Sequence, residues 1–579
     1  MYRRILKSVR EFRTPTVITF LCMVFEAGIE CVIPFITARL INGIRTGEEL
    51  SDVIKTGLIL AGMAMVSLFC GWMGGIACAR ASAGFSRNLR NDLFAKIQSF
   101  SFESVDKFSS ASLVTRLTTD VGYAGMAYMM VIRTAIRSPL MFIFAVIMAY
   151  IMGGALSMTF VIVIPLLVFG LLIIARFAMP AFRRVFRKYD KLNESIEENV
   201  RGMRIVKGFS REEYEKEKFG KASDNIRKDF TKAEKIVAMN NPLMQICMNF
   251  NMVFVLLVGS KMIVSSGAAS LDVGHMSSML TYGMQILMSL MMLSIIYVIL
   301  TMSAESFRRI DEVLREESSI VNPENPVFEM ADGSVDFENV SFKYSSEAHN
   351  FALEGVNLHI PSGATVGILG GTGSSKSTLV QLISRLYDTT EGSVKVGGVD
   401  VRKYDLDTLR QNVSMVLQKN MLFSGTIREN LLWGDAGATD EEIAEACSLA
   451  QASEFISGFA DGYDTFIEQG GTNVSGGQKQ RLCIARALLR RPKVLILDDS
   501  TSAVDTHTDS LIREGFRKYI PETTKIIIAQ RVASVMDADM IIIMDGGRIA
   551  DVGTHQELLE RSPIYSEVYT QQLFGKEAE

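Results

Sequence analysis

The sequence holds no C-x-x-C pair, and its seven cysteines (Cys22, Cys31, Cys70, Cys78, Cys247, Cys447, Cys483) are scattered, five of them in or beside apolar runs. That pattern argues against a disulfide framework or a thiolate metal site and predicts small buried hydrophobes. An excess of positive charge is missing too: 60 lysines and arginines against 64 aspartates and glutamates leave a net charge of −4, so nothing points to nucleic acid. No signal peptide is evident. The first residues, MYRRILKSVREFR, form a basic amphipathic stretch expected to lie as an interfacial helix on the cytoplasmic side. Apolar residues, in contrast, are plentiful. They make up 48% of the 579 residues, with a mean hydropathy of +0.22, too apolar for an ordinary soluble chain of this size. With 21% charged residues the chain is also too polar to lie wholly in lipid. The two characters are segregated. Apolar runs alternate with charged stretches up to about residue 305, and after Val335 the pattern is that of a globular α/β domain.

Six apolar segments reach the ~20 residues needed to span a bilayer, near 16–41, 55–79, 122–150, 155–178, 243–265 and 276–302. Short links join the first to the second, the third to the fourth and the fifth to the sixth. The other two links, about 80–121 and 179–242, are long and rich in lysine and arginine. The positive-inside rule places these, and both termini, in the cytoplasm. Both links read as helical at their ends, so the spanning helices are expected to continue past the membrane as rods. Bends are expected at Ser109–Val121, where small residues interrupt the helical pattern, and at Glu198–Glu215, which carries Gly202 and Gly208.

Charge inside a span costs at least ~2.5 kcal/mol, which singles out Glu26 and Glu30 in the first segment and Arg133 and Arg137 in the third, each pair one helical turn apart. Opposite-charge pairing within the bundle is one reading, and lining a polar substrate route is the other. Met244, Met248 and Met252 share a face of the fifth segment, and Met284, Met288 and Met291 nearly do so in the sixth. Plain helix packing accounts for such faces, and so does a cavity that repacks around varied apolar substrates.

The second half is organised around Ile368–Val380, ILGGTGSSKSTLV, close to the phosphate-binding pattern G-x-x-x-x-G-K-[ST]. An apolar strand, Thr365–Leu369, runs into it and a helix follows, so backbone N–H groups Gly370 to Thr378 can surround a polyphosphate. Lys376 adds mobile positive charge, and the Ser377 hydroxyl suits Mg²⁺. Strands are expected at Val335–Phe342, Leu358–Ile360, Gly392–Val396, Val413–Leu417, Val494–Leu497, Lys525–Ala529 and Met540–Met544, with a helical stretch over about 407–490. This alternation implies a parallel α/β core. Asp498, at the end of a buried strand, stands where a P-loop NTPase holds Mg²⁺. Ser475–Gln478 (SGGQ) opens a second helix, another anion-binding N-terminus. One domain cannot easily close both surfaces on one ATP, whereas two domains packed head to tail can.

With these motifs on six spans plus a nucleotide domain, nearly the whole chain resembles the ABC transporters, specifically half-size exporters with the membrane domain first; VSGGQ, Val474–Gln478, is the family signature. The fold implied is a six-span α-helical transmembrane domain (1–315), a linker (316–334) and an α/β P-loop nucleotide-binding domain (335–579). The resemblance implies that Tyr344 stacks on adenine and that Gly370, Gly371, Thr372, Gly373, Ser374, Ser375, Lys376, Ser377 and Thr378 bind ATP. It implies a metal-sensing Gln418, Mg²⁺ at Ser377, Gln418 and Asp498, and an Asp505 in the SAVD loop. The bends near 109–121 and 202–212 correspond to coupling helices, the second contacting the partner's nucleotide domain. Three residues depart from the family pattern. Ser375 stands for glycine, Asp499 for the catalytic glutamate and Gln530 for the switch histidine, while Ser475, Gly476, Gly477 and Gln478 are intact. Aspartate withdraws the carboxylate by over ~1 Å, and such a misplacement costs ~10²-fold in rate. The expectation is an ATPase-coupled transporter whose own P-loop site is hydrolysis-impaired. It would be one half of a heterodimer exporting amphipathic small molecules, such as drugs, from a bacterial inner membrane. A homodimeric lipid or peptide exporter, an ATP-gated channel or sensor on the same scaffold, and an importer are the alternatives.

Overall fold

The computed structural model describes residues 1–266, 271–345, 348–499 and 504–574. Its contacts divide the chain into two units, Met1–Gln98 with Ser110–Glu316, and Ser99–Ser109 with Glu317–Glu579.

The first unit is helical. Its principal helices are Arg13–Thr46, Leu50–Gln98, Thr134–Gly153, Met158–Arg201, Asn240–Ser266 and Val273–Arg315. Leu50–Gln98 has 49 residues, about 74 Å at 1.5 Å per residue, far more than the ~30 Å hydrocarbon core. The excess is the expected rod. Among the described residues five helical stretches are long and apolar enough to cross a membrane, where six were expected. The difference lies in Ser110–Phe182, a continuous run of 73 residues that holds both the third and fourth expected segments. Gly154 breaks it, at φ 47° and ψ −118°, a conformation that favours glycine.

Helix contacts in this unit combine small residues, which let helices approach closely, with large apolar ones. The core includes Ala27, Cys31, Ala38, Ala145, Ala149, Tyr282 and Ile286. Pro34 lies inside the first helix and cannot donate to the carbonyl four residues earlier. That carbonyl, of Glu30, instead accepts from Gln285 Nε2 at 3.3 Å. Tyr282 donates to the Cys31 carbonyl at 2.8 Å, and Ser278 to that of Pro34 at 2.6 Å. Arg137 pairs with Glu30 at 2.6 Å and approaches Glu26 at 3.5 Å, whereas Arg133 is exposed. The methionine faces are graded: Met244 is buried and Met248 half-buried, while Met252, Met284 and Met288 are exposed in the single chain.

The first expected bend falls at Ser109, in the left-handed region at φ 56°. Beyond it Ser110–Thr115 is helical and Arg116–Asp120 forms a π-turn. The wide turn lets Arg116 and Asp120 both reach the helix Val273–Arg315. Buried Asp120 accepts from Ser306 at 2.8 Å and Arg309 at 2.5 Å, and Arg116 donates to the Arg309 carbonyl at 2.5 Å. A short helix that the sequence reading passed over, Phe102–Phe108, precedes the bend and groups with the second unit. Its signal was the cap, Ser101, which accepts from Ser104 N at 3.4 Å. The second bend holds the short helix Met203–Gly208, flanked by Gly202 and Arg211.

Among its described residues the second unit contains twelve strands. In chain order these are β1 Val335–Phe342, β2 Leu353–Ile360, β3 Thr365–Gly370, β4 Glu391–Val396, β5 Val399–Asp400, β6 Val413–Val416, β7 Gly425–Thr426, β8 Phe466–Ile467, β9 Val494–Asp498, β10 Thr524–Ile528, β11 Met540–Asp545 and β12 Arg548–Gly553. The expected parallel core is the six-stranded sheet β12-β11-β3-β10-β9-β6, whose edge strand β12 alone runs antiparallel. The strands β1, β2 and β4 do not belong to it. They form, with β5, a separate antiparallel sheet in the order β2-β1-β4-β5. The burial of β2 alternates through its second half, while every residue of β9 and β10 is buried. That contrast separates a sheet solvated on one face from one covered on both. The expected helical stretch 407–490 is likewise broken, into Leu406–Asn412, Ile427–Leu431, Asp440–Leu449, Ser453–Ser457 and Gly476–Leu488, interrupted by β6, β7 and β8.

Candidate nucleotide site

Four neighbouring parallel strands, β3, β10, β9 and β6, end on the same side of the sheet, which is where open α/β sheets bind ligands. The first runs into the glycine-rich loop, the second leads to Gln530, the third ends in Asp498 followed by Asp499, and the fourth leads to Gln418. A cleft of about 400 Å³ forms there, lined by Gly370, Gly371, Thr372, Gly373, Lys376, Ser377, Gln418, Asp498, Asp499 and Gln530.

Loop geometry accounts for the residue types. Gly370 sits at φ 158°, and a Cβ there would strike the Met544 carbonyl and the Ser374 hydroxyl. The Lys376 ammonium bends back over the loop, donating to the carbonyls of Gly370 and Gly371 at 2.8 Å each and to Ser374 Oγ at 3.3 Å. Burial pulls its pKa below the usual lysine range, against the charges of Asp498 and Asp499. Ser375 takes φ 68° and ψ 27° as the cap of the helix Lys376–Ile383. It thus adopts the left-handed conformation that favours glycine, without being one. Thr378 is buried, and its Oγ1 shares a hydrogen bond with the hydroxyl of Tyr344 at 2.8 Å.

Ser377 Oγ donates to Asp498 Oδ1 at 2.9 Å. Asp498 is 4% exposed; burial pushes its pKa up, against the Ser377 hydrogen bond, and the Asp499 charge adds to the rise. A buried carboxylate beside a hydroxyl is a hard-oxygen pair suited to Mg²⁺, which takes one or two protein ligands and completes its shell with phosphate and water. These residues therefore fit the ion. Among the described residues no group of three His, Cys, Asp or Glu side chains could hold a metal.

Asp499, at φ 49°, accepts on Oδ2 from Gln530 Nε2 at 2.7 Å and Gln418 Nε2 at 3.4 Å. Gln418, expected at the metal, thus lies against Asp499. Asp505 caps the helix Thr506–Tyr519 by accepting from Thr508 N at 2.9 Å; Ser502 and Ala503 of its loop lie outside the described residues.

Ser475 opens the helix Gly476–Leu488 with a reciprocal cap, its Oγ accepting from Gln478 N at 3.3 Å and Gln478 Oε1 accepting from Ser475 N at 2.9 Å. Among the described residues lining the cleft, none comes from Ser475–Gln478. The fold brings loop, strand-end acids and glutamines together, and leaves the SGGQ helix start outside the cleft lining.

The sequence reading missed the C-terminal helix Pro563–Phe574. Its Ile564, Tyr565 and Val568 line the cleft. Its Gln572 accepts from Val532 N at 2.8 Å and donates to the Gln530 carbonyl at 2.9 Å. No motif marks that role; a helix near a terminus offers no spacing to read.

Known proteins resemble this chain over nearly its whole length. Residues 16–291 match the ABC transporter transmembrane region and residues 353–502 the ABC transporter domain. The chain is 35% identical over 560 residues to an uncharacterized ABC transporter ATP-binding protein, YfiB, of Bacillus subtilis, covering 97% of this chain and 96% of that one. An uncharacterized ABC transporter ATP-binding protein of Mycobacterium tuberculosis is 32% identical over 567 residues, covering 97% and 96%. Among solved structures, a bacterial Atm1-family ABC exporter with ATP bound shares the fold at TM-score 0.83 and 23% identity, over 97% of this chain and 98% of that one. The chain therefore belongs to the ABC transporter family, as a multi-pass membrane protein of half-transporter build that joins a transmembrane region to an ATP-binding domain and couples ATP to transport.

Proposed function

We propose that this chain is one half of a heterodimeric exporter. It binds ATP at its own loop, hydrolyses it poorly, and lends Ser475–Gln478 to a partner's competent site. The observation that carries the reading is the occupied state of Asp499. Its carboxylate lies one methylene short of glutamate and is tied to the neutral amides of Gln530 at 2.7 Å and Gln418 at 3.4 Å. A carboxylate held this way is a poor acceptor for the proton of an attacking water, and Gln530 cannot be cationic. The binding parts are complete. The N–H groups of Gly371–Thr378 and the Lys376 ammonium would hold the phosphates, and Tyr344 would stack on the base. Ser377 and Asp498 would hold Mg²⁺, which when bound neutralises phosphate charge.

Dimer formation is supported by exposed apolar side chains at the second bend, Ile205 at 66% and Phe209 at 76%, which nothing in a monomer would favour. A cleft of about 280 Å³ in the second unit, lined by Leu417, Met421 and Trp433 together with the basic Lys419, Arg486 and Arg490, mixes apolar and polar surface and has room for such a hook from a partner. The exposed Met252, Met284 and Met288 suit amphipathic substrates of varied shape. Placing the basic links and both termini in the cytoplasm of a bacterial inner membrane follows from charge distribution.

The test is the fate of bound nucleotide. Purified alone and loaded with Mg·ATP, the chain is expected to release nucleotide as ATP after an hour at room temperature. Recovery as ADP would contradict the reading.

A further inference from the structure

The helix Pro563–Phe574 is anchored at its start and holds a loop near its end. Tyr565 is 1% exposed. Its hydroxyl shares a 2.5 Å hydrogen bond with His555 Nδ1, and its backbone N–H donates to Ser562 Oγ at 3.4 Å. The His555 ring also meets Tyr565 and Tyr569 edge-on, with centroids 5.7 and 5.2 Å apart. Tyr565, Val568 and Gln572 follow one another at spacings of three and four residues, so they share one face of the helix. The first two line the nucleotide cleft. The third, two turns or ~10 Å from the anchor, meets the loop that follows β10.

There one side-chain amide makes two bonds. Gln572 Oε1 accepts from Val532 N at 2.8 Å, and Gln572 Nε2 donates to the Gln530 carbonyl at 2.9 Å. The two backbone groups flank Arg531, so the pair of bonds fixes the turn that aims the Gln530 side chain. That side chain donates to Asp499 Oδ2 at 2.7 Å, while Gln418 reaches the same oxygen only at 3.4 Å. Contacts therefore run from Gln572 through Gln530 to the carboxylate at the strand end. Gln572 itself is exposed and lies outside the cleft lining, so any effect it has on the site passes through Gln530.

We propose that Gln572 is a positioning residue that keeps Gln530 on Asp499 and thereby holds this chain's own site in its slow state. Hydrolysis needs an attacking water to hand its proton to a carboxylate as the bond between the γ-phosphoryl group and ADP breaks. An oxygen already accepting from Gln530 is withdrawn from that role. Loosening the Gln530 loop returns Asp499 Oδ2 to water for a larger fraction of the time. The proposal rests on the reading that this site binds ATP and hydrolyses it poorly.

Single-turnover conversion of radiolabelled Mg·ATP by the full chain in lipid nanodiscs tests it. Gln572→Ala is expected to form ADP about fivefold faster than the wild type, the change in population that one net hydrogen bond governs. ATP affinity should stay within about twofold. Loss of a merely structural contact would slow turnover or weaken binding; it would not accelerate one step at constant affinity. Because the effect passes through Asp499, Asp499→Ala and the double variant Asp499→Ala, Gln572→Ala should turn over at the same rate. If Gln572→Ala is no faster than the wild type, or if its gain survives Asp499→Ala, the inference alone is overturned and the reading of a site that holds ATP stands. A wild type that itself converts its bound ATP within an hour contradicts that reading and takes the inference with it.

Discussion

Two helix starts in the same unit face phosphate chemistry with opposite degrees of integrity. At the first, Ser375 sits in a left-handed conformation at φ 68° and the adjoining strand ends carry Asp499 and Gln530, which bond to each other. At the second, Ser475–Gln478 keeps every residue of its pattern and closes its cap reciprocally. Folding demands neither outcome, since both helices form, the second with a reciprocal cap and the first without a side-chain cap. What differs is the demand of chemistry. On the proposed reading, a site that only holds ATP tolerates a left-handed serine and a shortened carboxylate, whereas a surface that completes a partner's site does not, because its donors must meet charge that develops elsewhere.

The widest separation between the two surfaces comes from the second. Ser475→Arg in this chain is expected to lower the steady-state ATPase of the two-chain assembly by ~10²–10³-fold, the usual cost of losing a charge-stabilising donor. ATP binding at this chain's own loop should be unchanged. Asp499→Ala in the same assembly should cost less than about twofold if turnover falls to the partner's site, as proposed. Equal losses from the two substitutions would erase the contrast.

The Mg²⁺ pair sharpens it next. Burial raises the pKa of folded Asp498 above the ordinary 3.8. Ionised Asp498 therefore costs stability once the pH exceeds its unfolded-state value, and the full cost is present above the raised folded value. Asp498→Asn should raise the Tm of the nucleotide-free chain at neutral pH, with the advantage vanishing on acidification through the raised pKa. Magnesium-dependent ATP binding should run the other way, fading at a pH above that of an ordinary carboxylate in the wild type and absent in Asp498→Asn. Thermal melts and equilibrium binding across pH check both.

A smaller effect is expected at the clasp. Gln572→Ala removes hydrogen bonds to Val532 N and the Gln530 carbonyl, worth about 1 kcal/mol each, and should speed amide exchange at residues 529–535 without touching 475–478. Smallest is Ser375→Gly, which relieves left-handed strain at φ 68° and should stabilise the chain by about 0.5–1 kcal/mol in denaturant titration.

The loop, the strand-end acid and the SGGQ helix start were legible because each couples a residue type to a local conformation: glycine where a Cβ would strike Met544, an acid closing a buried run, serine before a helix. The parallel sheet was legible in its fully buried strands. The antiparallel sheet was not separated from it, since β1 and β4 are short strands of mixed polarity whose pairing is set by neighbours distant in sequence. Pairing of Arg137 with Glu30 and Glu26 followed from the cost of lone charge in lipid; which arginine would pair did not, because that depends on helix rotation. The helix Phe102–Phe108 and the Gln572 clasp escaped because their meaning lies in contacts, Tyr387 with Asp106 and Gln572 with the Gln530 loop.

Whether this chain binds ATP but leaves its hydrolysis to a partner is decided by the ATPase rate of the chain purified alone beside its Asp499→Glu, Gln530→His double variant. The wild type is expected to bind ATP yet be nearly inactive, and the variant to be faster by ~10–100-fold as the carboxylate regains its reach. A wild type that hydrolyses ATP as fast as the double variant would show Asp499 and Gln530 to be competent, and a homodimeric transporter would replace the heterodimer.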